Sequence, residues 1–205
     1  MKKLAWLFIT LLPLYGWAQD NTWEKPEEDE TATETVKENP DAKYLKGAVT
    51  EVDGKIVFAK TIAAPGKSAS QVYDIVGRYM EKMLHEKNQL NSLLVVQDSA
   101  NWTIAGKYDE WLVFKSNTFV LDRTQFIYVL QAQCQDGRAD ISISRINYVY
   151  GEGKEVKRFK AEEWISDKAA VNKKNTRLLP LSAKFRRKTI DRKDFLFDKF
   201  ETLLK

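Results

Sequence analysis

The chain has 205 residues, 43% of them apolar and 30% charged, with a formal net charge of +4. That length suits one domain with a substantial core. One cysteine, Cys134, excludes an intrachain disulfide, and one histidine, His85, leaves a zinc site or a cysteine–histidine nucleophile almost no raw material.

At the N-terminus, Lys2 and Lys3 precede an apolar run that ends in Gly16-Trp17-Ala18 before Gln19. This is the pattern of a secretory signal cleaved after Ala18, because the run is too short for the roughly 20 residues that span a bilayer. No cysteine follows the cleavage point to take a lipid, so the mature chain is expected in the periplasm or outside the cell. Residues 19–43 form an acidic leader, with nine acids against three lysines over 20–43, and are too poor in apolar groups to offset the entropy of ordering. The leader is a solvated spacer or an intramolecular partner for basic residues further on.

The folded body begins at Tyr44, and its first unit, to residue 150, is organised around residues 55–87. Asp53-Gly54 supplies the positive backbone angles of a tight hairpin. In the strand that follows, Ile56, Phe58, Lys60 and Ile62 share one face, since successive side chains point to opposite sides. Pro65-Gly66 ends the strand, and Ser68 with Gln71 predicts a capping box opening a helix. Val72, Ile75, Val76, Tyr79, Met80, Met83 and Leu84 recur at helical spacing and predict one buried stripe. His85 lies where its charge would oppose the negative end of that helix.

Strand patterns follow at 93–97, 102–106, 110–115, 119–134 and 139–150, with a second Asp-Gly hairpin at Asp136-Gly137. Neighbouring strands flanked by helices argue an α+β domain, an antiparallel sheet covered by helices. In the long strand Phe126, Tyr128, Leu130, Ala132 and Cys134 share the better core face, so Cys134 reads as a buried, inert thiol. Residues 151–205 read as a basic helical extension packed on that domain. Helical spacing runs from Glu155 through Phe159 to Ile165, and a final helix is expected after Thr189, with Ile190, Leu196, Phe197, Phe200, Leu203 and Leu204 on one arc.

Gly54-Lys-Ile-Val-Phe-Ala-Lys60, Pro65-Gly66-Lys67-Ser68, Glu110-Trp111, Glu162-Glu163-Trp164-Ile165-Ser166-Asp167-Lys168 and Lys184-Phe-Arg-Arg-Lys-Thr-Ile-Asp-Arg-Lys-Asp194 resemble secreted Bacteroidetes proteins with a domain of unknown function of TATA-binding-protein-like (TBP-like) fold. The resemblance runs from Gly54 to the end, the named domain reaching to about Tyr148. It implies a helix on a curved antiparallel sheet. It implies no catalytic residue and no nucleic-acid binding, because a shared fold leaves function open.

No reaction is legible. Glu162 with Glu163, and Asp109 with Glu110, are the available acid pairs, but adjacent residues point in different directions and do not address one bond. No cofactor is expected. Asp98-Ser99-Ala100 resembles a short acceptor for periplasmic O-glycosylation at Ser99, against the plainer reading of an aspartate-initiated turn.

Charge is the sharper clue. Residues 168–193 carry ten bases against Asp191 alone, whereas 44–167 are balanced, so the surplus belongs to one segment. Its Lys184, Arg186, Arg187, Lys188, Arg192 and Lys193 are the candidate anion-binding surface of a non-catalytic module, with an envelope polyanion or another protein as partner. The first alternative is a small-ligand carrier with its cavity between Tyr79, Met83 and the sheet; the second is a hydrolase.

Overall fold

The computed structural model describes residues 39–151 and 155–205. The expected signal and most of the acidic leader lie outside the described residues. A short 3-10 turn, Ala42–Tyr44, leads into strands β1 (Glu51–Val52) and β2 (Lys55–Ile56), a hairpin whose Asp53 and Gly54 have φ of 49° and 71°. Both central angles are positive, as the tightest two-residue turn requires. Then come β3 (Phe58–Ala63) and helix α1 (Ala69–Met83). Strands β4 (Leu93–Asp98), β5 (Thr103–Ser116), β6 (Leu121–Gln135), β7 (Arg138–Tyr150) and β8 (Lys157–Lys160) follow. Helices α2 (Ala161–Trp164), α3 (Asp167–Ala170) and α4 (Pro180–Leu204) close the chain.

The fold is α+β, a curved antiparallel six-stranded sheet in the order β3-β7-β6-β5-β4, with β8 also on β7 and helices on one face. Helix α1 starts where the capping box put it: Ser68 accepts from the Gln71 amide at 3.3 Å, and the Gln71 side chain accepts from the Ser68 amide at 2.9 Å. It carries the chain across the sheet from one edge strand, β3, to the other, β4. Its Val72, Val76, Tyr79, Met80 and Met83 are buried against the sheet.

Alternation along β6 sends Phe126, Tyr128, Leu130, Ala132 and Cys134 into the core and leaves Gln131 on the open face. Burial pushes the Cys134 thiol up to about 12, so it is un-ionised at neutral pH. Phe185 of α4 is edge-on to Phe114, Tyr148, Tyr150 and Trp164, making an aromatic cluster under the helix.

Three elements differ from the sequence expectation. The patterns at 102–106 and 110–115 are one strand, β5, because Tyr108 between them is wholly buried and donates its hydroxyl to the Met80 carbonyl at 2.8 Å. The segment from Glu155 is first a strand: β8 pairs with β7, and Phe159 points inward to stack on Trp164 at 4.1 Å. The last helix begins at Pro180, not after Thr189. A proline needs no amide partner in a first turn, whereas Thr189 lies fully buried mid-helix with its hydroxyl 2.6 Å from that of Tyr148. β8 and α4 therefore complete the sheet and core that the first 150 residues begin.

Candidate functional site

A helix running from Pro180 turns the basic residues through the interior as well as the surface. Arg186 and Arg192 have no exposed side-chain surface, which corrects their place among anion contacts. Arg186 donates to the carbonyls of Tyr44 (2.6 Å), Ile165 (2.6 Å) and Leu45 (2.7 Å) and to the Asp167 carboxylate (2.6 Å). It ties α4 to both the N-terminal turn and the α2–α3 corner. Arg192 grips Glu110 of β5 with two bonds, 2.8 Å and 2.7 Å. Glu110 is itself fully buried and accepts further bonds from Tyr128 (3.2 Å) and Gln89 (2.6 Å). Charges taken out of water persist only when paired and hydrogen-bonded, and both arginines meet that condition.

The other expected anion contacts on α4 are also engaged. Lys184 pairs with Asp122 at 2.7 Å and donates to the Tyr150 hydroxyl, and Arg187 pairs with Asp41 at 2.7 Å. Lys193 pairs with Asp194, and Lys188 is half-buried. Residues 39–43, expected within the leader, belong to the folded body: Asp41 meets Arg187, and Lys43 meets Asp191 at 2.6 Å.

The space proposed for a small ligand is occupied by protein. Tyr79 lies edge-on to Phe200 of α4 at 5.1 Å, and Met83 has no exposed surface, so the helix–sheet interior is packed there. Asp109 and Glu110 lie on opposite faces of β5, and Glu162 accepts from the Ile56 amide at 3.2 Å, so neither acid pair converges. Ser99 is exposed at a turn in which the Asp98 carboxylate accepts from the Ala100 and Asn101 amides at 3.0 Å. His85 is exposed just beyond α1, 3.7 Å from Glu81. Among the described residues no acidic, histidine or cysteine cluster could hold a metal.

Cations converge elsewhere, at a break in the sheet edge. β6 pairs along one side of β7, so β3 and β8 must share the other, end to end. β3 stops at Phe58 opposite Ile143 and β8 begins at Lys160 opposite Asn147, leaving residues 144–146 without a strand partner on that side. The register against β6 shifts there and Arg145 takes a φ of 54°, so Ile143 and Ile146, three apart, both point into the core. The gap opens into a cleft of about 410 Å³ whose lining includes Lys55, Arg145, Lys160, Glu162, Ser144 and Asn147.

The Asn147 side chain donates to the Arg145 carbonyl at 2.7 Å and stiffens the bulge. Lys157 and Arg158 continue the basic edge along β8. None of Lys55, Arg145, Lys157, Arg158 or Lys160 joins an ion pair with a described residue, and all five are exposed. Sequence reasoning missed this site because 55, 145 and 160 meet only through sheet topology. The one visible signal was the run Lys157-Arg158-Phe159-Lys160, hidden inside a segment of balanced charge.

The model of the domain of unknown function (DUF4468) with TBP-like fold matches residues 58–149, from the start of β3 almost to the end of β7. A crystal structure of a DUF4468 family protein from Bacteroides ovatus superposes with a TM-score of 0.75 at 41% identity, over 82% of this chain and 96% of that one. The chain belongs to the DUF4468 family. A TBP-like protein from Parabacteroides distasonis, at 19% identity and a TM-score of 0.61 over 76% of this chain and 96% of that one, shares the fold. No curated protein matches the chain. The likeness to the Bacteroides ovatus structure covers more of the chain than residues 58–149, and the family is one of unknown function.

Proposed function

We propose that this DUF4468 protein is an exported, non-catalytic binding module that takes the anionic groups of an envelope polyanion, phosphate or carboxylate, at the cleft between β3 and β8. What carries the reading is the set of three exposed cations, Lys55, Arg145 and Lys160, that line an open cleft, with Lys157 and Arg158 further along β8, none of them paired with a described acid. An unpaired cation keeps its full field for an incoming anion, while a paired one has already surrendered it. Glu162 lines the same cleft, but its carboxylate is held by the Ile56 amide and offsets only part of the positive charge. Among the described residues no helix is long and apolar enough to cross a membrane, and export rests on the N-terminal sequence pattern.

The test is binding of phosphate-rich lipopolysaccharide at several salt concentrations. Affinity should fall as salt rises. The triple variant Lys55→Glu, Arg145→Glu, Lys160→Glu should lose about tenfold or more in affinity, since each 1.4 kcal/mol is a factor of ten. Reversal of the exposed Lys173 and Lys174, which have no cleft, should cost much less. Equal losses from the two reversals, or a flat salt response, would sink the cleft as the site.

A further inference from the structure

Two strands end the sheet, and they are protected to different degrees. The β3 side carries Lys60, paired with Glu201 of α4 at 2.7 Å, and β7 beyond it is covered by β8. β4 is the opposite edge, and among the described residues no strand pairs with its outer side. Its Leu93, Val95 and Val96 are 49%, 52% and 40% exposed. The strand has no lysine, arginine or proline, and Asp98 at its end is its one charge. A register shift between Leu94 and Val96 bulges the strand at Val95, the one bend that blunts this edge. The strand therefore offers a row of free backbone groups flanked by apolar side chains, which is the material of strand addition.

The charges at its ends say what occupies it. Asp98 closes one end, and at the other Leu93 sits opposite Lys107 of β5. An antiparallel copy of the same strand, related by a two-fold axis, exchanges these ends. Asp98 of each copy then comes beside the Leu93–Lys107 row of the other, and valines meet valines at the centre. The surface is thus complementary to itself in both charge and apolar pattern, as a two-fold interface requires. We propose that two copies of this chain associate through β4, antiparallel about an axis near Val95 and Val96, so that two six-stranded sheets run on as one. A single strand pair buries less than a standard stable interface, so the dimer is concentration-dependent.

Sedimentation velocity of the full mature chain from micromolar to millimolar concentration tests this. The wild type should pass from monomer to dimer. Val95→Lys with Val96→Lys places like charges across the axis and should abolish the dimer, while Leu181→Lys, a control at an 80% exposed leucine of α4, should leave it intact. A wild type that stays monomeric to millimolar concentration, or a double variant that still dimerises, overturns the proposal. Hydrogen exchange on the unmodified chain keeps the test free of folding defects in the variant. Protection that rises with concentration in β4 supports the interface, and protection that rises only elsewhere overturns it.

Discussion

Helix α4 and the β7–β8 edge are both rich in cations, yet they use them in opposite ways. On α4, Arg186 and Arg192 point inward and bind carbonyls and carboxylates, and Lys184, Arg187 and Lys193 bind acids nearer the surface. At the edge, Lys55, Arg145 and Lys160 point into an open cleft and bind no described acid. Density of charge in the sequence therefore says little about where a partner can be held. What matters is whether the fold has already supplied the counter-charge: α4 works as a clasp across the core, and the edge is the surface left free to attract.

Arg192→Ala strikes the clasp hardest. It leaves the buried Glu110 carboxylate without its bidentate partner, and losing one member of a buried pair costs about 3–5 kcal/mol. The urea midpoint should fall accordingly, and an unchanged midpoint would show that the pair is not the clasp. Arg192→Met with Glu110→Leu should recover part of the loss, because it removes both fully buried charges, although Glu86 loses its partner and Tyr128 and Gln89 lose their acceptor.

Arg186→Lys comes next, at about 2 kcal/mol. Lysine keeps the charge but cannot serve three carbonyls and Asp167 with one planar fork. Lys184→Ala, at a partly exposed pair, should cost about 1 kcal/mol or less in the same titration. The triple cleft reversal belongs at the bottom of the stability scale, within about 0.5 kcal/mol of wild type. If it unfolded the protein, the edge cations would be structural too, and the contrast between the two regions would fail.

A pH titration sharpens the clasp further. Burial raises the Glu86 carboxyl above its ordinary 4.5, with Arg192 opposing the shift. A carboxyl raised in the folded state binds its proton more tightly there than in the unfolded chain. Its contribution is full below 4.5 and is lost as pH climbs through the raised value. Glu86→Gln should flatten the fall in unfolding free energy over that window. An unaltered slope would place the titration on another group.

Local order was legible in the residues themselves. The Ser68–Gln71 box, the two Asp-Gly turns, the α1 stripe and the inward face of β6 each arise between neighbours a few positions apart, where hydrogen bonds and alternation leave little choice. The start of α4 was not legible, since Leu179 offers no side-chain cap and Thr189 resembles one. That misplacement hid the burial of Arg186, which only a helix from Pro180 puts on the arc of Phe185, Ile190 and Phe200. Arg192 lay inside the expected helix, and its burial shows only in its pairing with Glu110.

Residue pattern and composition were enough for the α+β class, the buried Cys134 and the total charge. Tertiary structure alone decided which cations are free. Lys55, Arg145 and Lys160 lie far apart in the chain and meet because β3 and β8 divide one edge of β7. Arg192 and Glu110, 82 positions apart, cancel because α4 lies across β5. Electrostatic pairing depends on distance in space and on exclusion of water, and neither is written in the spacing of residues along a chain.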